Sequence, residues 1–370
     1  MTRVFMVAPH FQEYSFRFAK ALSQFGPVML ALDNDRLDGD FEKRERPDAP
    51  SVTLRDMRFK TPADIVRLVV DIIRFRPSVI HLQEASGTRA AMIMAAVVML
   101  TRLFATIALT VHDPEPHQGR DVAIASRFGR YRRYVRRAAK LVFVHGEYCR
   151  DRYLACAEVG KATVVMIDHG EILSEGVIAT PGDGSFKLLF FGRMEAYKGL
   201  DTLYDALLGL AKKGIAPKVR IVGRGPELDQ YADALASVPG VEIENGFMPA
   251  HELVKELREC DGVLLPYHGA TQSGVLAAAF ANGRFVIASE VGGIPDLVKN
   301  RINGLLVPPS DAAALADAIS TAAQSPGMCR ALSVAAAETS RTRLSWEKIA
   351  RDVVRYYPKM ANRGGVHAIS

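Results

Sequence analysis

Short apolar runs alternate with amphipathic stretches along most of the chain. Arg3–Ala8, Val28–Leu32, Pro77–Leu82, Thr106–Val111, Leu141–Val144 and Ala162–Ile167 read as buried strands. Between them, Tyr14–Phe25, Thr61–Phe75, Ala90–Leu100 and Glu147–Cys156 read as helices. Thr61 precedes Pro62, a pairing suited to a helix start. Residues 36–60 are charged and poorly patterned, and they predict no element. After Glu171–Ser185, which carries Gly176, Pro181, Gly182 and Gly184, the alternation restarts. Lys187–Phe191, Val219–Val222, Val241–Ile243, Gly262–Leu265 and Phe285–Ala288 are strands, and a short helix opens at Pro295. Asp311–Ala323, Met328–Ala337 and a last segment from Trp346 to Tyr357 are helices, and a frayed tail is expected from Lys359. Near-continuous apolar strands alternating with helices predict parallel sheets covered on both faces.

Length divides this pattern in two. A chain of 370 residues exceeds one ordinary domain. The expected boundaries are 1–170, a linker at 171–185, 186–345, and a crossover helix and tail at 346–370. Cys149, Cys156, Cys260 and Cys329 are scattered, with no Cys-x-x-Cys pair, which fits a reducing compartment and argues against structural zinc. Met1-Thr2-Arg3 runs straight into a short strand, so no leader is expected. Arg102 interrupts the apolar run Ala90–Val111, which is read as a buried helix and a buried strand rather than a span of roughly 20 apolar residues. The net charge of +6 sits wholly in the first half.

Candidate chemistry falls at the strand ends. From Asp261 to Pro309 the order is strand, polar loop, Ser273-Gly274, apolar helix, strand, then Gly292-Gly293. A helix start with small residues is a common anion site, because its N–H groups are unpaired and carry partial positive charge. Gly192-Arg193 and Lys198 follow another strand and offer cations to a phosphate. Gly223 and Gly225 form a Gly-x-Gly pair, a weak nucleotide signal without the third glycine. Asp33, Asp35, Asp38 and Asp40 compose either a metal-holding acidic motif or, as preferred here, a solvated loop. His112-Asp113 ends the strand at Val111, where a near-neutral imidazole suits proton transfer; a structural histidine loop is the other reading. His10 and His81 also fall at strand ends, as cleft-lining candidates with equally ordinary structural readings. Arg127–Lys140 carries seven positive charges and no negative ones. It meets an anionic membrane, holds a lipid-linked diphosphate, or is a solvated helix face. No recognition motif accompanies it, so nucleic acid is not an expected partner.

The second half resembles the family 4 glycosyltransferases, carried by Pro266, Asn282-Gly283, Ala288-Ser289, Gly292–Pro295 and Asn303–Pro309. The resemblance implies the GT-B fold: two α/β Rossmann-like domains facing a central cleft, with a C-terminal helix crossing back to the first. It implies a retaining, metal-independent hexosyltransferase with no cofactor beyond its nucleotide-sugar substrate. Arg193 and Lys198 would then balance the leaving diphosphate, His112 or Asp113 would face the sugar and the attacking hydroxyl, and His10 and His81 would lie on the acceptor side. Gly192, Gly223, Gly225, Phe247, Thr271, Gln272, Ser273 and Gly274 would line the donor site. Three departures stand out. The loop Pro9–Gln12 lacks the glycines usual in relatives, and Asp168 stands where they often have proline. The family's glutamate pair is replaced by Ala270 and Ala278.

Two classes of function follow. One is transfer from a UDP- or GDP-sugar to a glycan or lipid-linked glycan in bacterial surface polysaccharide biosynthesis, in the cytoplasm at the inner face of the membrane. The other is a non-catalytic nucleotide-sugar-binding or scaffold protein on the same fold. A nicotinamide-dependent oxidoreductase rests only on weak glycine pairs.

Overall fold

The computed structural model describes residues 2–33, 52–115, 120–156, 158, 160–174 and 186–358. The first half forms a seven-stranded sheet in the order β3-β2-β1-β4-β5-β6-β7. Its strands are β1 (Val4–Ala8), β2 (Val28–Asp33), β3 (Val52–Met57), β4 (Val79–Gln83), β5 (Thr106–Val111), β6 (Leu141–His145) and β7 (Thr163–Ile167). The second half forms a six-stranded sheet in the order β10-β9-β8-β11-β12-β13. Its strands are β8 (Lys187–Arg193), β9 (Lys218–Arg224), β10 (Val241–Asn245), β11 (Gly262–Leu265), β12 (Phe285–Ser289) and β13 (Gly304–Val307). Every pairing in both sheets is parallel.

Helices cover both faces, and the strand side chains divide between them with period two. Phe5 and Val7 join one core with α2 (Pro62–Phe75), α3 (Thr88–Thr101), α4 (Arg120–Ala138) and α5 (Gly146–Ala155). Val4, Met6 and Ala8 join another with α1 (Gln12–Leu22) and α13 (Trp346–Val354). The C-terminal helix therefore docks on the first domain. Trp346, the single tryptophan, fixes the return: its Nε1 donates to Glu171 O at 2.7 Å and its ring lies 4.8 Å from that of Tyr14. The second domain carries α6 (Leu200–Lys212), α7 (Pro226–Ala236), α8 (Ala250–Glu259), α9 (Gly274–Ala281), α10 (Ile294–Leu297), α11 (Ala312–Gln324) and α12 (Pro326–Thr339).

Helix starts follow their local chemistry. Asp64 accepts from the backbone and hydroxyl of Thr61, closing a capping box ahead of Pro62. Ser273, Asp311 and Ser345 cap α9, α11 and α13 through their side chains.

One expectation changes, and three others fall largely outside the described residues. The patternless segment contains β3, an edge strand in which only Val52 and Met57 are buried, so its hydrophobic signal is weak. The acidic loop lies outside the described residues except for Asp33, which is buried at the end of β2. The linker from 175 and the tail from Lys359 also lie outside them.

The basic run is not one solvated face. Arg136 of α4 is fully buried, forks onto Glu84 with two 2.7 Å bonds, and donates to Glu158 at 3.0 Å. Arg132 pairs with the same Glu158 at 2.9 Å. Arg136 also donates to Pro114 O at 3.1 Å, which pins the loop leaving β5. Removing one partner of such a network strands buried charge. Arg136→Met should lower the unfolding free energy by about 3–5 kcal/mol, read from urea denaturation at neutral pH. A loss within ordinary surface values would contradict the buried network.

Candidate active site

In open α/β sheets, ligands gather beyond the carboxyl ends of the strands where the order reverses. In the second sheet that point lies between β8 and β11. β8 ends in Gly192-Arg193 and leads into a 3-10 turn, Ala196–Lys198. Lys198 is buried, and its Nζ donates to the Tyr267 hydroxyl at 2.6 Å while sitting 4.3 Å from the Tyr267 ring centroid. Burial, followed by the neighbouring Arg193 charge, pulls its pKa down to about 7. Across the gap, α9 presents its first turn, with Ser273 Oγ accepting from Leu276 N at 3.2 Å. A methyl group placed on Gly192 would lie 3.6 Å from Lys198 Nζ and 3.7 Å from Val275 of that turn. The ammonium and the helix start thus border one space above Gly192. Arg193 is exposed beside it.

The first domain brings His112 and Asp113 to the same cleft. His112 is buried, stacks on Phe11 at 3.9 Å, and its Nε2 lies 2.9 Å from Gln83 Oε1. Donation from Nε2 leaves Nδ1, buried and without a hydrogen-bond partner, as an acceptor. Burial, reinforced by His145, His169, His81 and His10, holds the His112 pKa well below its ordinary value. The ring is therefore a neutral acceptor rather than a group titrating near neutrality. Asp113 is half-buried, and its carboxylate accepts from the Thr271 hydroxyl of the second domain. Cys149 Sγ, 3.2 Å from Thr271 O, adds a second contact across the cleft. In the glycine-free loop Pro9–Gln12, Phe11 adopts φ +59° and stacks its ring on His112.

Other candidates divide. His81 is corrected from an acceptor-side residue to a core one. It is fully buried, with Nε2 2.7 Å from Thr110 Oγ1 and Nδ1 on the Tyr357 hydroxyl, and burial lowers its pKa to about 3. His10 is buried beside the His112 group. Gly223 and Gly225 have a packing reason of their own: side chains there would strike the backbone of Gly192 and Met194 at 2.0 and 2.4 Å. Phe247 is exposed beyond β10, with the Arg224 guanidinium 5.9 Å from its ring centroid. That strand lies two places from β8, about 10 Å away. Gln272 has a buried Oε1 with no hydrogen-bond partner. Ala270 and Ala278 are both buried. Gly292 and Gly293 press against the carbonyls of Ala270 and Thr271, so they shape the loop that carries Thr271 and Gln272. Tyr267, Gln83 and Arg136 were not anticipated. Only the Pro266-Tyr267 strand end hinted at the first. Among the described residues, no three His, Cys, Asp or Glu side chains converge into a metal-binding group.

Residues 185–325 match the family model described as Glycosyl transferases group 1. The matched segment contains the space above Gly192. D-inositol 3-phosphate glycosyltransferase of Saccharomonospora viridis is 31% identical over 186 residues, covering 47% of this chain and 43% of that protein. Amylovoran biosynthesis glycosyltransferase AmsK of Erwinia amylovora is 31% identical over 141 residues, covering 35% and 34%. The matched region is thus less than half the length of either relative. A crystal structure of Anabaena Alr3699/HepE in complex with UDP-glucose superposes with a TM-score of 0.70 at 16% identity, covering 96% of this chain and 99% of that one. The likeness establishes a shared fold, the two facing Rossmann-like domains of GT-B glycosyltransferases.

The Lys198 environment gives a direct test. Nitrogen-resolved NMR of lysine side chains should find one amine titrating near pH 7. Tyr267→Phe removes an acceptor that favours the charged form, so that midpoint should fall further. A Lys198 midpoint in the ordinary lysine range would contradict the buried site.

Proposed function

We propose that the chain is a glycosyltransferase that moves a hexose from a UDP- or GDP-sugar to a hydroxyl of a glycan or lipid-linked glycan. The observation that carries this is the pairing of the buried Lys198 ammonium with the first turn of α9 above Gly192. Two positive elements fixed in a water-poor corner suit a departing nucleoside diphosphate. Arg193 adds an exposed guanidinium at the rim. The nucleotide extends toward Gly223, Gly225 and Phe247, with Gln272 and Ser273 near the donor. The acceptor hydroxyl enters from the first domain and gives its proton to His112 Nδ1 or to Asp113. Retention of configuration, independence from metal and the family 4 assignment rest on sequence resemblance. The Erwinia relative's name, an amylovoran biosynthesis glycosyltransferase, supports a place in polysaccharide biosynthesis, while a surface polysaccharide and the cytoplasmic face of the membrane rest on the sequence resemblance and the basic first half.

A second reading is binding without transfer. It is favoured by the two alanines at the glutamate positions and by the engagement of Asp113 with Thr271. The two readings separate in one experiment. Nucleotides and nucleotide sugars are screened by thermal shift, because ligands stabilise the state they bind, and release of nucleoside diphosphate is then followed with the best donor.

Transfer predicts turnover that falls about a hundredfold or more in Lys198→Ala, with Arg193→Ala also impaired. Binding that persists with no turnover supports the second reading. Donor binding unaffected by either substitution would remove the phosphate site. A pH dependence follows from the Lys198 pKa. Diphosphate favours the ammonium, so binding takes up a proton above about pH 7. Affinity should therefore weaken as pH rises through and beyond 7, which calorimetry can follow.

A further inference from the structure

Helix α3 breaks the rule that an apolar helix is a buried one. Its outward positions Met92, Met99 and Leu100 are exposed, and Leu103 and Phe104 continue the row just beyond its end. Leu103 is 89% exposed and Met99 58%. Neighbouring α2 repeats the pattern with Val66, Val70 and Ile73 at spacings of four and three, which places them on one outward stripe. The sequence reading of Ala90–Leu100 as wholly buried is therefore corrected. An apolar groove of about 460 Å³ runs along α3, with Ile65 of α2, Met92 and Met99 of α3 and Tyr131 of α4 among its walls. Lys60 and Arg89 stand at the groove's end nearest the helix N-termini, the end that faces the cleft. Contiguous exposed apolar surface of this kind marks a binding face.

The charges around it select the occupant. Arg67, Arg74, Arg76, Arg89 and Arg102 are all exposed on or beside the two helices, and Arg130 and Arg133 are exposed on α4. The carboxylates of residues 61–104 are each engaged within the fold. Asp64 caps α2, Asp71 pairs with Arg55 at 3.0 Å, and Glu84 holds Arg136. Apolar side chains within a cationic ring match a bilayer surface bearing anionic headgroups, where the side chains enter the acyl boundary and the arginines meet phosphate. Among the described residues no helix is long and apolar enough to cross a membrane.

We infer that the outer face of α2 and α3 seats this protein on an anionic phospholipid surface. The basic helix α4 borders that seat rather than forming it, since Arg132 and Arg136 turn inward to Glu158 and Glu84. The inference does not depend on the sugar, the nucleotide or whether transfer occurs.

The test is co-sedimentation of the full chain with vesicles. Phosphatidylglycerol mixed into phosphatidylcholine should bind the protein, phosphatidylcholine alone should bind it weakly, and added salt should reduce binding. Met99→Glu with Leu103→Glu should weaken binding about tenfold or more, while melting with wild-type cooperativity. Val66→Glu with Ile73→Glu repeats the test on the other helix if the first pair fails to fold. Ile302→Glu, which alters an equally bare residue of the second domain, should bind as wild type. Equal binding by wild type and both double variants, or none by wild type, would overturn the inference. So would sedimentation as a dimer that the same substitutions dissociate, since the occupant would then be a second copy.

Discussion

A parallel strand cannot return through a hairpin. Each must cross back through a helix, so every strand in a sheet ends on the same side. That constraint governs this molecule twice. In each half the first strand lies mid-sheet, β1 in one and β8 in the other, and the chain winds outward in both directions. Each sheet therefore has one point where neighbouring crossovers part, and each leaves its loops on that edge. Lys198 and the start of α9 occupy the second sheet's point. The β5 loop with His112 and Asp113 lies on the matching edge of the first.

Facing the two edges requires contacts between domains, and the structure supplies several of modest size. Arg343 joins Asp168 at 2.6 Å, pairing the second domain with the turn that ends the first. Asp296 accepts from Tyr148 N at 3.0 Å, placing a carboxylate at the positive start of α5. Trp346 and α13 tie the end of the second domain into the core of the first. Exposed ion pairs contribute little individually, whereas the Trp346 docking buries apolar surface. The helix is the stronger tether, and the polar contacts set register. Asp113 and Thr271 touch within this arrangement, so a carboxylate carried by one domain meets the loop ahead of α9 in the other.

Much of this was legible in sequence. Alternating apolar runs located nearly every strand, because strands buried on both faces leave an unbroken hydrophobic signal. Ser273, Lys198 and the His112-Asp113 pair fell at strand ends, where topology makes chemistry probable. What escaped depended on three-dimensional neighbours. β3 was missed because an edge strand needs few apolar residues. Arg136 looked like part of a solvated charge run, since its partners Glu84 and Glu158 lie 52 and 22 residues away. His81 sat at a strand end as expected, but Tyr357 from the returning C-terminus covers it. The low pKa of His112 comes first from its burial and then from histidines brought to it by four separate segments.

A diphosphate bound above Gly192, between Lys198 and the first turn of α9, should be visible in a crystal structure with the preferred nucleoside diphosphate. Its phosphate oxygens should lie within hydrogen-bond reach of Lys198 Nζ and the backbone N–H groups of Gly274 or Val275, with the base toward Phe247. Phosphate held elsewhere, with Lys198 still bonded only to Tyr267, would contradict that placement.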